Sequence, residues 1–126
     1  MAITISGAVD MSIGREHLGE LLRKLVAAEP EVREEGAETV CDWSASLARD
    51  EARLLVRVLS ATAATESVSS VREAMLHAVA EIFDASYMDV HDVAPVLVMD
   101  EIILDPSEQE YLRGLREDVA PEQGLR

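Results

Sequence analysis

The sequence predicts an all-α fold, built as a short α-solenoid of antiparallel helix pairs. Three observations lead there. The segment Val32-Arg33-Glu34 returns 39 residues later as Val71-Arg72-Glu73, with Val40 falling on Val79, Trp43 on Ile82, and Gly36-Ala37 on Met75-Leu76. A period near 40 with helical spacing marks stacked helix pairs, in which each unit buries its apolar face only against its neighbours. Apolar residues make up 48% of the chain and aromatics only 3%, so Leu, Val, Ala, Ile and Met must fill the core, in a composition rich in good helix formers. Those apolar residues also recur at three- and four-residue intervals along most of the chain.

At 126 residues the chain reads as one domain. It divides into an N-terminal arm (1–13), a helical repeat domain (14–119) and a C-terminal tail (120–126). The arm carries β-branched residues and a glycine without helical period, which suits a stray strand or a mobile arm. The first helix starts after Ser12, with Leu18, Leu21, Leu22, Leu25 and Val26 on one side, and Pro30 ends it. The second runs from about Glu31 to Leu47, its inner stripe formed by Val32, Gly36, Val40, Trp43 and Leu47. A glycine inside a helix costs about 1 kcal/mol relative to alanine. Close approach of a neighbouring helix is the expected compensation at Gly36.

Asp50 is expected to cap the third helix, which carries Leu54, Leu55, Val58 and Leu59. The Ser/Thr/Ala-rich stretch Ser60 to Ser70 is expected to break the chain, with Ser69 or Ser70 as a cap and Glu73 completing a capping box. The fourth helix spans about Val71 to Ala85. Asp89 or Asp92 starts the fifth, with Pro95 in its first turn. Val96 to Leu104 suits helix or strand. Helix is preferred there because Asp100-Glu101 interrupts strict alternation. Asp105-Pro106-Ser107 starts a sixth helix carrying Tyr111, Leu112, Leu115 and Val119. The second members of the three pairs thus begin near Glu31, Ser70 and Ser107.

The stretch Pro30-Glu31-Val32-Arg33-Glu34, and its echo Ser70-Val71-Arg72-Glu73, resembles the second helix of HEAT repeats, where Asp/Pro-x-Val-Arg precedes small and apolar residues. The resemblance covers residues 16–119 and implies about three repeats. The third copy lacks the Val-Arg pair, as expected of a terminal cap. HEAT-like proteins are scaffolds, adaptors and inhibitors, and some repair enzymes use the same architecture; such arrays usually bind other macromolecules and seldom catalyse, so an interaction module is expected. Arg33 and Arg72 are expected to make structural contacts between neighbouring repeats.

The formal charge of −14 comes from 25 acidic and 11 basic residues. Nucleic-acid binders replace phosphate counterions with Lys and Arg, so direct nucleic-acid binding is not expected, and adhesion to an anionic membrane is disfavoured for the same reason. No basic, apolar leader opens the chain and no apolar run approaches the roughly 18 residues of a span. One cysteine, Cys41, excludes an internal disulfide, which fits a cytoplasmic protein. Cys41 is expected as a small buried filler. Trp43 is expected in the core, with an interface anchor at the edge of the array as the other reading.

Catalytic chemistry finds no motif. There is no Gly-x-Ser-x-Gly, no Gly-rich phosphate loop, and no histidine partner for Cys41. His17, His77 and His91 are scattered without ligand spacing, so neither a metal nor a cofactor is expected. With Val32, Val40 and Trp43 facing inward, a helix places Glu34 and Glu38 outward and Asp42 toward the edge. Glu73, His77 and Glu81 take the matching places 39 residues on. Stacking then aligns six residues into an acidic ridge with one histidine, a docking face for a basic protein. The expectation is a non-catalytic, immunity- or antitoxin-type inhibitor that occludes a partner such as a nuclease toxin. The competing expectation is a structural or adaptor subunit, self-associating through exposed Val96, Val98, Ile102 or Ile103.

Overall fold

The computed structural model describes residues 4–6 and 10–120, and the fold is all-α apart from one small hairpin. Strands β1 (Thr4–Ser6) and β2 (Asp10–Ser12) pair antiparallel, with Ile5 opposite Met11. The strand alternative for the N-terminal arm is therefore the one adopted. Helix α1 (Gly14–Leu25) follows at once. Gly14 sits at φ +86°, in the left-handed region that only glycine enters without strain, and so allows the sharp turn from strand to helix.

Helix α2 runs from Pro30 to Asp42, shorter than the expected Leu47, because Trp43 closes it and the chain tightens into a 3-10 turn at Ser44–Ser46. Helix α3 (Arg49–Thr65) continues through the first half of the stretch expected to break, and the break falls in its second half. The hydroxyls there bond back into the helix instead of competing with it: Thr62 Oγ1 donates to the Val58 carbonyl at 2.9 Å, and buried Ser60 Oγ accepts the Val96 N–H at 3.2 Å. Asp50 does not cap α3; Glu51 reaches back to the Ala48 N–H at 2.8 Å. The real break is Glu66–Val68. Helix α4 (Ser69–Ile82) begins there without a Ser69, Ser70 or Glu73 cap, and ends before the expected Ala85. Glu66 accepts the Val68 N–H at its start instead.

The fifth helical segment is broken. Asp89 caps a 3-10 turn at Val90–Val93, α5 is a single turn (Ala94–Leu97), and a second 3-10 turn follows at Glu101–Ile103. Arg116 explains the interruption, since it donates to the Leu97 and Met99 carbonyls at 2.8 and 3.0 Å that a longer helix would have used itself. Helix α6 (Pro106–Val119) starts at Asp105-Pro106 as expected. Of the predicted tail at 120–126, residues 121–126 lie outside the described residues.

Helices α2, α4 and α6 begin at Pro30, Ser69 and Pro106, which are 39 and 37 residues apart. Helix α4 lies between α2 and α6 and also rests on α3. Helix α1 packs against α2 and α3, and α5 against α3 and α6. Leu21, Leu25, Val40, Leu55, Leu59, Met75, Val79, Val96 and Leu115 fill the space between these helices.

The fourth residue of each of α2, α4 and α6 plays a related part. Arg33 donates to the Ala27 and Ala28 carbonyls, both at 2.9 Å, and forks onto Glu66. Arg72 points to the Glu66 and Ile103 carbonyls and forks onto fully buried Glu108. Gln109, third in the series, donates only to the Glu101 and Leu104 carbonyls. Each side chain satisfies the loop before its own helix, and the two arginines also reach a carboxylate at the start of the next helix in the series, Glu66 just before α4 and Glu108 in the first turn of α6.

Gly36 lies where α2 crosses α1. A Cβ there would stand 2.9 Å from Lys24 Cβ and 3.4 Å from Leu25 N, atoms held by the helix itself, and 3.3 Å from Leu25 Cδ2. Gly36→Ala is therefore expected to destabilise the fold by about 1–3 kcal/mol through overpacking, despite alanine's better helix propensity. Urea denaturation of the variant checks this, and unchanged or higher stability would refute the close-packing account.

Candidate functional site

The outer surfaces of α2 and α4 run side by side and enclose a groove of about 510 Å³. Helix α2 contributes Glu34, Glu38, Cys41 and Asp42; helix α4 contributes Ser70, Glu73, Ala74 and His77; Tyr111 of α6 closes one wall. Spacings of three and four residues place each set on one helical face. Three carboxylates on the α2 side face Glu73 on the α4 side, with the small residues Cys41 and Ala74 between them.

Five of the six residues predicted for the ridge line this groove: Glu34, Glu38, Asp42, Glu73 and His77. Glu81 does not. It lines the neighbouring depression beside Ser44, Phe83 and Asp118, although its carboxylate approaches His77 Nε2 at 3.9 Å. The sequence reading missed Tyr111, assigned there to the inner stripe. It is half-buried, with its ring stacked on His77 at a centroid distance of 4.9 Å and an interplanar angle of 13°. In the register of Arg33, Arg72 and Gln109 it falls on Glu35 and Ala74, neither of them aromatic, so the spacing offered no signal for it.

The charges of the groove are uncompensated. Among the described residues, no Lys or Arg forms an ion pair with Glu34, Glu38, Asp42 or Glu73, whereas Lys24, Arg33, Arg53, Arg57, Arg72, Arg113 and Arg116 are each engaged elsewhere. The cations have been drawn to structural carboxylates, which leaves a negative field over α2 and α4.

Cys41 is half-buried and lines the groove, so it is not the enclosed filler that its place in the helical pattern suggested. Burial, reinforced by Glu81, Asp42 and Glu38, pushes its thiol up to about 11. It stays protonated near neutral pH and is a poor nucleophile. Trp43 is also half-buried. It packs against the core and meets His17 edge-on at 5.5 Å, away from the residues lining the groove. No group of three or more His, Cys, Asp or Glu converges as a metal site among the described residues. No helix among them is long and apolar enough to cross a membrane.

Val98, Ile102 and Ile103 form a second surface feature, on the connection between α5 and α6. They are 83%, 87% and 61% exposed. Val96, grouped with them from the sequence, is buried and belongs to the core.

Comparison with family models, with curated proteins and with solved structures returns no match to this chain.

Proposed function

We propose that the chain is a non-catalytic protein-binding module, an acidic inhibitor of the immunity or antitoxin type that occludes a basic partner such as a nuclease toxin. In this reading the helix pairs form a short HEAT-like array of about three repeats, and the protein acts in the cytoplasm without touching nucleic acid or membrane itself. The observation that supports it is the set of four uncompensated carboxylates, Glu34, Glu38, Asp42 and Glu73, brought to one groove. His77 and Glu81 extend that face. Lys and Arg that would hold a nucleic-acid backbone instead meet these carboxylates, and the bulk of the array blocks access. Long-range attraction speeds encounter, while desolvated contacts in the groove set the residence time.

The test pairs the wild type with a variant carrying Glu34→Lys, Glu38→Lys, Glu73→Lys and Glu81→Lys. A basic partner captured from native extract is expected to associate with the variant at least about tenfold more slowly, and its binding to the wild type is expected to weaken as salt rises. A partner held equally by both proteins would place the interface elsewhere.

Exposed Val98, Ile102 and Ile103 favour a second reading, a structural or adaptor subunit that self-associates. It gains support if light scattering on the same wild-type sample gives twice the 13.8 kDa of one chain and Ile102→Ser restores the single mass.

A further inference from the structure

We propose that the α2/α4 groove selects arginine over lysine in whatever segment of the basic partner enters it, a conclusion that rests on the reading above. The groove combines three features that different cations use unequally. It presents carboxylates from both sides, Glu34, Glu38 and Asp42 facing Glu73. Its floor is formed by small, weakly polar groups, Cys41 and Ala74. Its wall is a pair of parallel rings, His77 on Tyr111, and the His77 side chain is 47% exposed.

A guanidinium is planar, weakly hydrated and forked. It can lie against an exposed ring and donate in its own plane to carboxylates on either side. An ammonium is compact and strongly hydrated, so it gains the charge attraction but neither the stacking nor the fork. The chain meets this requirement elsewhere within itself: Arg49 lies over the Tyr87 ring at 4.9 Å, and Arg33 forks onto Glu66. The groove offers both kinds of contact in one place, and among the described residues no Lys or Arg pairs with its carboxylates.

The test uses two fluorescent peptides of equal length, alternating Ala with Arg or Ala with Lys, and reads binding by anisotropy. The Arg peptide is expected to bind about threefold tighter or more, from one cation–ring contact at a partly exposed site. His77→Ser, an exposed change that leaves the core alone, is expected to bring the two peptides together while both still bind. Tyr111→Leu, which keeps apolar volume against the core, is expected to do the same, with circular dichroism confirming the fold. Glu38→Gln with Glu73→Gln is expected to weaken both peptides. Equal binding of the two peptides by the wild type, lost on neutralising the carboxylates, would overturn the arginine preference and leave the basic-partner reading standing. Binding of neither peptide, or binding indifferent to the carboxylates, would overturn both. A preference for arginine that persists in His77→Ser and Tyr111→Leu would overturn the stacking account.

Discussion

Glu108→Ala is expected to lower the unfolding free energy by about 3–5 kcal/mol, a large part of the roughly 5–15 kcal/mol typical of a domain. Glu108 is fully buried and answers two donors at once. Its carboxylate takes the Arg72 guanidinium, with Nη2 at 3.0 Å, and its Oε1 accepts the Asp105 N–H at 3.0 Å at the start of α6. Without it, Arg72 keeps only the Glu66 and Ile103 carbonyls, both at 3.4 Å, and remains a buried cation with no counterion. That loss is mostly the cost of an orphaned charge, and much less the net worth of the pair. The double replacement Arg72→Met with Glu108→Leu is therefore expected to be more stable than Glu108→Ala alone. Urea midpoints for the three proteins decide the matter. A Glu108→Ala protein within 1 kcal/mol of wild type would mean that water reaches Arg72 and the pair is not an interior contact.

Acid is expected to unfold the protein through a small set of carboxylates, with Glu51 foremost. Burial alone would raise the Glu51 carboxyl above its ordinary 4.5, but the Ser12 hydroxyl and the N–H groups of Ala48, Ile13 and Gly14 outweigh it and hold it lower. The contacts lie between 2.6 and 3.1 Å. The Arg33 fork holds Glu66 below its ordinary value against burial. At Asp92 burial is again outweighed, here by the Asp89 N–H, Arg57 and Arg53. A carboxyl that is more acidic in the fold than in the open chain adds stability at every pH above its open-chain value and withdraws it as pH falls through the folded value. Stability should thus stay level from pH 7 to about 5 and decline below about 4.5. Relief of self-repulsion at a formal charge of −14 acts in the opposite direction over the same range, so the melts belong at about 0.15 M salt, where that term is screened. Glu51→Gln sets an amide against four donors: with its oxygen toward the Ile13 and Ala48 N–H groups, its NH2 faces the Gly14 N–H, and the change is expected to cost about 2–4 kcal/mol at pH 7. It should also flatten the acid limb of the melting curve. A Glu51→Gln protein that keeps the full acid sensitivity would assign that sensitivity to the other carboxylates.

The order of helices was legible because it depends on local spacing and on strong stops. Pro30 and Asp105-Pro106 mark their boundaries in any context. The break within Ser60 to Ser70 was legible but its position was not, because the hydroxyls of the first half bond back onto Val58 and Leu59 or receive the Val96 N–H, and α3 runs on to Thr65. The Val96 to Leu104 stretch misled because its interruption comes from Arg116, a residue that becomes a neighbour only after folding. The acidic face could be read from a repeat that fixes which residues point outward. Tyr111 could not, since it enters the groove from α6, where the Val-Arg-Glu echo is absent. Nor could the sequence tell which of its carboxylates would be left without cations. That depended on Glu66, Asp92, Glu101 and Glu108 first taking the available cations.

The fork from Arg33 to Glu66 joins the first turn of α2 to the residue three before α4, at the end of the groove where Glu34 and Ser70 stand. It therefore acts as a gauge block. At this end the two rows of surface carboxylates are tied together by a half-sunken ion pair whose members do not line the groove. Like charge on the rows favours their separation, and this guanidinium opposes it together with the packing of α2 on α4. A positive charge held beneath a negative face thus serves there as a spacer.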